Sequence, residues 1–323
     1  MKLSDASVLV EGAIKELELP GGDLAGLYEP ISYGLSAGGK RLRPSLVLMA
    51  AEAFGGEAAV NAAIPAALGM EMFHNFTLLH DDVMDNSPMR RNRPSVMAKW
   101  DVNTAILSGD TMLTLATRQM MQVPDKLLRT VLDIFNTMAV RVYEGQQLDM
   151  EFENRDDITS EDYLRMIGDK TGALLGASAQ IGALIGGADL KDAARMEQFG
   201  MLLGQAFQIQ DDWLDVYGDS NTFGKPIGGD INNNKKSYLL LTALESGTPE
   251  AEALKSAMEM PAGDSKVRVV TNIYDKLDMS DRVRKEVAHY SSEALKAIKK
   301  SGLSEEAREP FKAMIDKLTG RKR

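Results

Sequence analysis

Asp81-Asp82-Val83-Met84-Asp85 and Asp211-Asp212-Trp213-Leu214-Asp215 repeat one arrangement of acids. In each, the first and third acids lie four residues apart. On a helix that spacing puts both carboxylates on one face, with the middle acid turned about 100° away. The stretches before them, Met72-Phe73-His74-Asn75-Phe76-Thr77-Leu78-Leu79 and Ala206-Phe207-Gln208-Ile209, are largely apolar and predict buried helix. Acids at the C-terminal end of a buried helix oppose its dipole, so a positive charge must offset them. Hard divalent cations take oxygen ligands, and Mg²⁺ joins carboxylates to phosphates. A solvated acidic face explains one such cluster equally well. Two clusters, both after apolar helix and both before basic loops, argue for a metal site.

The basic residues come in three groups. Lys40, Arg41 and Arg43 follow Gly38-Gly39 and precede Pro44. Arg90, Arg91 and Arg93 lie just beyond Asp85. Phe223-Gly224-Lys225, Gly228-Gly229-Asp230 and Lys235-Lys236 follow the second cluster. Glycines let a backbone approach phosphate, and arginines grip its oxygens bidentately. Nucleic acid is excluded as a general partner, because the net charge is −10 and no aromatics interleave with the basic residues. His74 precedes Asp81 by seven residues, two turns up the same face. A helical histidine by itself reads as a packed residue, and so does His80. Lys170-Thr171, inside Gly168-Asp169-Lys170-Thr171-Gly172, reads as a polar break in a helical stretch. A buried Lys-Thr pair needs a partner, and a phosphate would serve.

The elements that must position these residues are helices. Ala-, Leu- and Met-rich stretches at 46–53, 59–80, 103–122, 126–150, 161–186, 191–217 and 236–245 predict them. Breaks fall at Pro20-Gly21-Gly22, Ala37-Gly38-Gly39, Gly55-Gly56, Asn86-Ser87-Pro88, 218–234, Gly247-Thr248-Pro249 and Pro261-Ala262-Gly263-Asp264. Thr159, three before Asp162, predicts a helix cap. No alternating strand pattern flanks a turn, so hairpins are not expected. The reading is all-α: one large helical bundle, with 1–323 as a single domain. With 44% hydrophobic residues the 323-residue chain can build a sizeable core. The absence of cysteine excludes disulfides and thiolate chemistry. Met1-Lys2-Leu3-Ser4-Asp5 lacks the apolar stretch of a signal peptide, and no 18-residue run free of charge or strong polarity is evident. A cytoplasmic protein without stable membrane insertion is expected.

These motifs together resemble the trans-isoprenyl diphosphate synthases, or polyprenyl synthases, of short-chain farnesyl and geranylgeranyl type. The residues that carry the resemblance are Gly39-Lys40-Arg41-Leu42-Arg43-Pro44, Leu78-Leu79-His80 with the first acid cluster and Arg90-Arg91, Gly145-Gln146 with Asp149, and Lys170-Thr171. Phe207-Gln208-Ile209-Gln210 with the second acid cluster, Phe223-Gly224-Lys225, and Gly229-Asp230-Ile231 with Lys235 complete the set. The resemblance implies a helical bundle around a central cavity, homodimeric, with about three Mg²⁺ ions per site. It implies that Asp81, Asp85 and Asp211 hold metal, supported by Asp82 and Asp215. Arg90, Lys170, Thr171, Gln208, Lys225 and Lys235 would meet the allylic diphosphate. Lys40, Arg43, His74 and Arg91 would take isopentenyl diphosphate. Thr171 and Gln208 would face the allylic cation, Phe207 the isopentenyl double bond, and Lys170 would complete the catalytic set.

Product length should follow from what blocks the cavity beneath the first cluster. Thr77, Phe76 and Phe73 lie about 6, 7.5 and 12 Å back from Asp81 along a helix. In the family, an aromatic five residues before the first acid with a small residue four before it resembles the geranylgeranyl type. The expectation is therefore C15 to C20, leaning to C20. Simple interhelical packing of Phe76 is the competing reading. A terpene cyclase would not need Lys40, Arg43 and Arg91 for a second diphosphate. A non-catalytic partner subunit would lack one acid cluster, and a longer-chain synthase would carry small residues at positions 76 and 77. A two-metal phosphohydrolase fits poorly with three histidines. The tail Arg321-Lys322-Arg323 reads as a frayed end or a flap over the site.

Overall fold

Good helix formers dominate the chain, and in the computed structural model nearly every described segment is helical; residues 1–218 and 227–320 are described. The chain divides into two compact units. The first comprises Met1–Thr137, Ala177–Glu197 and Ser301–Pro310. The second comprises Met138–Gly176, Gln198–Lys300 and Phe311–Arg323.

In the first unit, α1 (Leu3–Lys15), α2 (Ala25–Leu35) and α5 (Val102–Met120) pack on α3 (Leu42–Met84). α3 is apolar nearly all round, as a helix enclosed by neighbours must be. It buries Leu46, Val47, Met49, Met70 and Phe73. The expected break at Gly55-Gly56 is a kink within this helix: Gly56 adopts φ 68°, ψ −167°, and the helix resumes at once. By length and composition α3 could cross a membrane, with 44% of its most apolar 18-residue window buried inside the protein. Glu52, Glu57 and Glu71 nevertheless interrupt it, so no stretch of α3 runs 18 residues without charge. The expectation of no hairpin is corrected. β1 (Met89–Arg90) and β2 (Arg93–Pro94) form a two-residue antiparallel hairpin after the first acid cluster. Arg91 and Asn92 make its turn with φ of 52° and 60°, the left-handed geometry such turns require. Asparagine tolerates this region and arginine does not favour it, so the sequence carries only half the signal. The short α4 (Val96–Lys99) follows, and α6 (Asp125–Phe152) begins in this unit.

In the second unit, α6 ends and α7 (Ser160–Ile167) starts on the expected cap. Thr159 Oγ1 accepts from the Asp162 N–H at 3.1 Å, and Asp162 accepts from the Thr159 N–H at 3.0 Å. Gly168–Gly172 then forms a π-helical segment leading into α8 (Ala173–Ile185). The expected polar break is thus a widened turn in a helix that continues, a feature common at functional sites. α9 (Leu190–Tyr217) carries the second acid cluster. α10 (Gly229–Asn232), α11 (Tyr238–Leu244), α12 (Pro249–Met258), α13 (Asp264–Lys276), α14 (Met279–Lys299) and α15 (Glu305–Thr319) follow; α8 ends in the first unit, and α9 and α15 begin there. Tyr163, Ile209, Trp213, Leu239, Leu254 and Val283 lie in one core cluster that stabilises the acid-bearing end of α9.

Candidate active site

The first unit gathers cations around the start of α3. Gly38 and Gly39 have φ of 75° and 130°, and Arg41 is left-handed at φ 45°. That turn sends the Arg41 guanidinium inward, to Glu71 at 2.5 Å, Glu11 at 2.6 Å and the Leu35 carbonyl at 2.6 Å. Arg41 is therefore a buried structural ion pair and leaves the set of basic residues aimed at phosphate. Arg43 remains in that set. Its Nη1 lies 3.0 Å from His74 Nε2, and its buried Nε has no acceptor among the described residues. The Arg91 guanidinium donates to the Gly38 carbonyl. Gly39, at φ 130°, holds a backbone conformation that other residues rarely adopt, and a Cβ there would lie 2.9 Å from the Arg91 guanidinium carbon.

The electrostatics follow from that crowding. Burial and the neighbouring Arg43, Arg91 and Arg90 hold the His74 pKa well below its ordinary value, so the ring is neutral and can accept from Arg43. Burial, helped by Arg91 and opposed by Glu71, lowers Arg43 to about 10. Such a cluster favours an anion.

At the other end of α3 the three acids separate by role. Asp85 caps the helix and is exposed, and Asp81 is half-buried one turn earlier. Asp82 is buried, and its Oδ1 accepts from Arg90 Nε at 2.9 Å and Nη2 at 2.6 Å. Burial raises the Asp82 pKa against the pull of Arg90. On the face leading to Asp81, Phe76 packs edge-on against Phe73 at 5.6 Å, and Phe73 against Phe135 at 5.5 Å. Thr77 turns its hydroxyl back to the His74 carbonyl at 2.8 Å. His80 meets Phe76 edge-to-face at 4.8 Å and the Ile106 carbonyl at 3.1 Å, a packing role.

The second unit repeats the division. Asp211 is half-buried, whereas Asp212 and Asp215 are buried. Asp212 accepts from the Tyr163 hydroxyl at 2.6 Å and the Tyr238 N–H at 2.9 Å. Asp215 accepts from the Asp230 N–H at 3.0 Å, at the start of α10. Burial, with nearby Asp230, raises both Asp212 and Asp215 to about 6. Lys235 lies 3.7 Å from Asp230. Burial alone would lower its pKa, but Asp230, Asp212, Asp149 and Asp215 outweigh it and hold the ammonium charged. Lys170 pairs with Asp149 at 2.6 Å, and the Thr171 hydroxyl reaches Gln208 Oε1 at 3.4 Å. Phe207 is half-buried one turn before Asp211.

Each unit thus brings its own expected residues together: Arg43, His74 and Arg91 in the first, and Lys170, Thr171, Gln208, Lys235 and the acids in the second. Phe223, Gly224, Lys225 and Arg321-Lys322-Arg323 lie outside the described residues. Sequence reasoning gave no role to Glu71, Tyr163, Asp149 or Asp230. Asp149 and Asp230 stood inside the quoted motifs, and their opposite charge to Lys170 and Lys235 was the available signal. Glu71 and Tyr163 gave none, because their partners lie 30 and 49 residues away.

Without metal, the two raised carboxylates make a testable statement about stability. Between about pH 4 and 6 the folded chain keeps protons on Asp212 and Asp215 that the unfolded chain releases, so stability falls as pH rises through that window. Asp215→Asn keeps the acceptor for the Asp230 N–H and removes the charge. We expect it to stabilise the metal-free protein by about 1 kcal/mol at pH 7.5, with no gain at pH 4. Urea midpoints at the two pH values check this, and an equal shift at both would contradict it.

The polyprenyl synthetase family model matches residues 25–277. The geranylgeranyl diphosphate synthase of Methanosarcina mazei is 37% identical over 272 residues, spanning 84% of this chain and 83% of its own. A crystal structure of a geranylgeranyl pyrophosphate synthase superposes with a TM-score of 0.94 at 38% identity over 100% of both chains. A polyprenyl synthase from Caulobacter crescentus, crystallised with calcium and isoprenyl diphosphate, gives a TM-score of 0.85 at 26% identity over 99% of this chain and 96% of its own. The all-helical fold is that of the isoprenoid synthases, and the chain belongs to the polyprenyl synthetase family. It is a prenyltransferase, and its similarity is to enzymes of the short-chain class.

Proposed function

We propose that the chain, as one catalytic domain, condenses isopentenyl diphosphate with dimethylallyl, geranyl and farnesyl diphosphates and stops at C15 to C20, chiefly at geranylgeranyl diphosphate. The observation that carries this is the cationic cluster of Arg43, neutral His74 and Arg91, a set of basic groups additional to the acid clusters. An enzyme that ionises one diphosphate needs the acids. One that also holds a second, unreacted diphosphate needs this cluster as well.

Asp81, Asp85 and Asp211, with Asp82 and Asp215 in support, are the residues for about three Mg²⁺ ions. The fit rests on donor chemistry: hard carboxylate oxygens paired one helical turn apart, with no group of three acids converging among the described residues, so diphosphate oxygens would have to complete the ligand set. Bound Mg²⁺ offsets the charge on the departing diphosphate. Lys170, Lys225, Lys235 and Arg90 hold the allylic diphosphate, and Lys40, Arg43, His74 and Arg91 hold the isopentenyl one. The allylic C–O bond breaks, the isopentenyl double bond attacks the allylic carbon, and a proton leaves to the departing diphosphate. Thr171 and Gln208 face the developing cation with neutral oxygens, and Phe207 lies near the attacking double bond. Apolar walls exclude the water that would quench the cation. Exposed Val102, Ile106 and Leu107 on α5 fit a homodimer.

Phe76, 6% exposed and backed by Phe73, is the proposed end stop. Phe76→Ala moves the stop back to Phe73, by about 4.5 Å or roughly one isoprene unit. Expected products on chromatography are one unit longer, and longer again when Phe73→Ala is added. Unchanged lengths would return Phe76 to simple packing. The reaction itself is checked by counting inorganic diphosphate. One should appear per isopentenyl diphosphate consumed, and none after chelation of the metal. Consumption without release, or release unaffected by the chelator, would contradict the reading.

A further inference from the structure

Arg141, Gly145 and Asp149 follow one another at four-residue intervals on α6, so they form a single stripe. Each meets the π segment at a different point. The Arg141 guanidinium binds Asp169 Oδ1 through Nε and Nη2, both at 2.8 Å. Gly145 faces the backbone itself. A Cβ there would sit 2.8 Å from Lys170 Cα and 2.9 Å from the Asp169 carbonyl carbon. Asp149 takes the Lys170 ammonium at 2.6 Å. On its opposite side the segment is met just as closely by α9, where a Cβ at Gly204 would lie 2.6 Å from Gly172 Cα. Gln208, one turn past Gly204, receives the Thr171 hydroxyl.

We infer that Arg141 and Gly145 are positioning residues: they clasp the π-helical turn against α6 and thereby set where the Lys170 ammonium and Thr171 hydroxyl point during prenyl transfer. A π turn carries one residue more than the α-helix it interrupts, and its geometry is held by what packs on it. Here the packing against α6 is backbone against glycine, flanked by two ion pairs. The inference rests on the prenyl-transfer reading for its consequence, while the clasp can be read without it.

Two variants test it. Gly145→Ala forces the turn away by a fraction of an ångström to an ångström, a misplacement that costs about 100-fold in rate in enzymes generally. Arg141→Gln removes the ion pair without steric insult, so it stays informative if Gly145→Ala does not fold. The expected result is a kcat lowered about 100-fold for Gly145→Ala and about 10-fold for Arg141→Gln, with KM for isopentenyl diphosphate unchanged. Arg141→Lys should recover part of the loss. A second signature is partition. Once the allylic C–O bond has broken, misplaced groups let water add to the allylic carbon, giving allylic alcohol, inorganic diphosphate and a proton. The ratio of alcohol to elongated product should rise several-fold in both variants. Parent kcat and parent partition in both, or a loss of melting temperature alone, would overturn the inference. Amide hydrogen exchange at 168–172 reports on the clasp without any substrate. Faster exchange in Arg141→Gln, in a protein whose parent form shows no condensation, would keep the clasp and reject the prenyl-transfer reading. Unchanged exchange rejects the clasp.

Discussion

Asp81→Ala and Asp211→Ala will each abolish turnover, lowering kcat at least about a thousandfold, and will leave the fold intact. The reasoning is a division of labour within each cluster. In the first, the buried middle acid Asp82 takes the Arg90 guanidinium, so the hairpin is fastened there. In the second, Asp212 takes the Tyr163 hydroxyl and the Tyr238 N–H, so α7 and α11 are fastened there. Asp81 and Asp211 are half-buried beside these anchors, and they are the acids we propose for metal. Asp212→Ala should behave differently. It strips two buried donors of their acceptor and should destabilise the protein by about 2–3 kcal/mol as well as slowing it. Circular dichroism and urea midpoints, set beside kcat, separate the two kinds of variant. Near-parent kcat in either Asp81→Ala or Asp211→Ala would refute the metal assignment.

The second large effect concerns stability. Arg41→Ala should cost about 3–5 kcal/mol, because it leaves Glu71 charged and buried without its partner. The side chains of this pair are 1% and 3% exposed, so water cannot replace the lost contact. Glu71 and Glu11 also raise the Arg41 pKa above its ordinary value against the opposing effect of burial, as a paired guanidinium requires. Arg43 lies two residues along the same first turn of α3, so KM for isopentenyl diphosphate should rise in whatever fraction still folds. Replacing both partners, Arg41→Met with Glu71→Leu, should recover most of the stability, since an apolar pair carries no desolvation penalty. A urea midpoint for Arg41→Ala within 0.5 kcal/mol of the parent would show the pair to be inessential.

The helices and the acid clusters were legible because their signals are local. Four-residue spacing fixes a shared face, and Thr159 with Asp162 fixes a cap. What stayed hidden depends on distant partners. Lys40, Arg41 and Arg43 look alike in sequence, and only a left-handed backbone at residue 41 and a glutamate 30 residues on turn Arg41 inward. Likewise Asp82 and Asp215 look like equal supports. The first is bound by Arg90, and the second by the N–H of Asp230. The double glycine at 55–56 suggested a loop, yet a Cβ on Gly55 would lie 2.6 Å from the Gly186 carbonyl, so close packing is one reason for glycine there. The polar break at Gly168–Gly172 was visible as chemistry and invisible as a π turn, because nothing local specifies the extra residue. Helices after residue 249 rest on amphipathic, charge-rich patterns, which lack the Ala, Leu and Met density that marks the rest.

Sizing the products made from labelled isopentenyl diphosphate with Mg²⁺ and each allylic primer in turn tests the central claim most directly. Label is expected in C15 to C20 chains, chiefly C20, from dimethylallyl, geranyl and farnesyl diphosphates. No incorporation with any primer would contradict it.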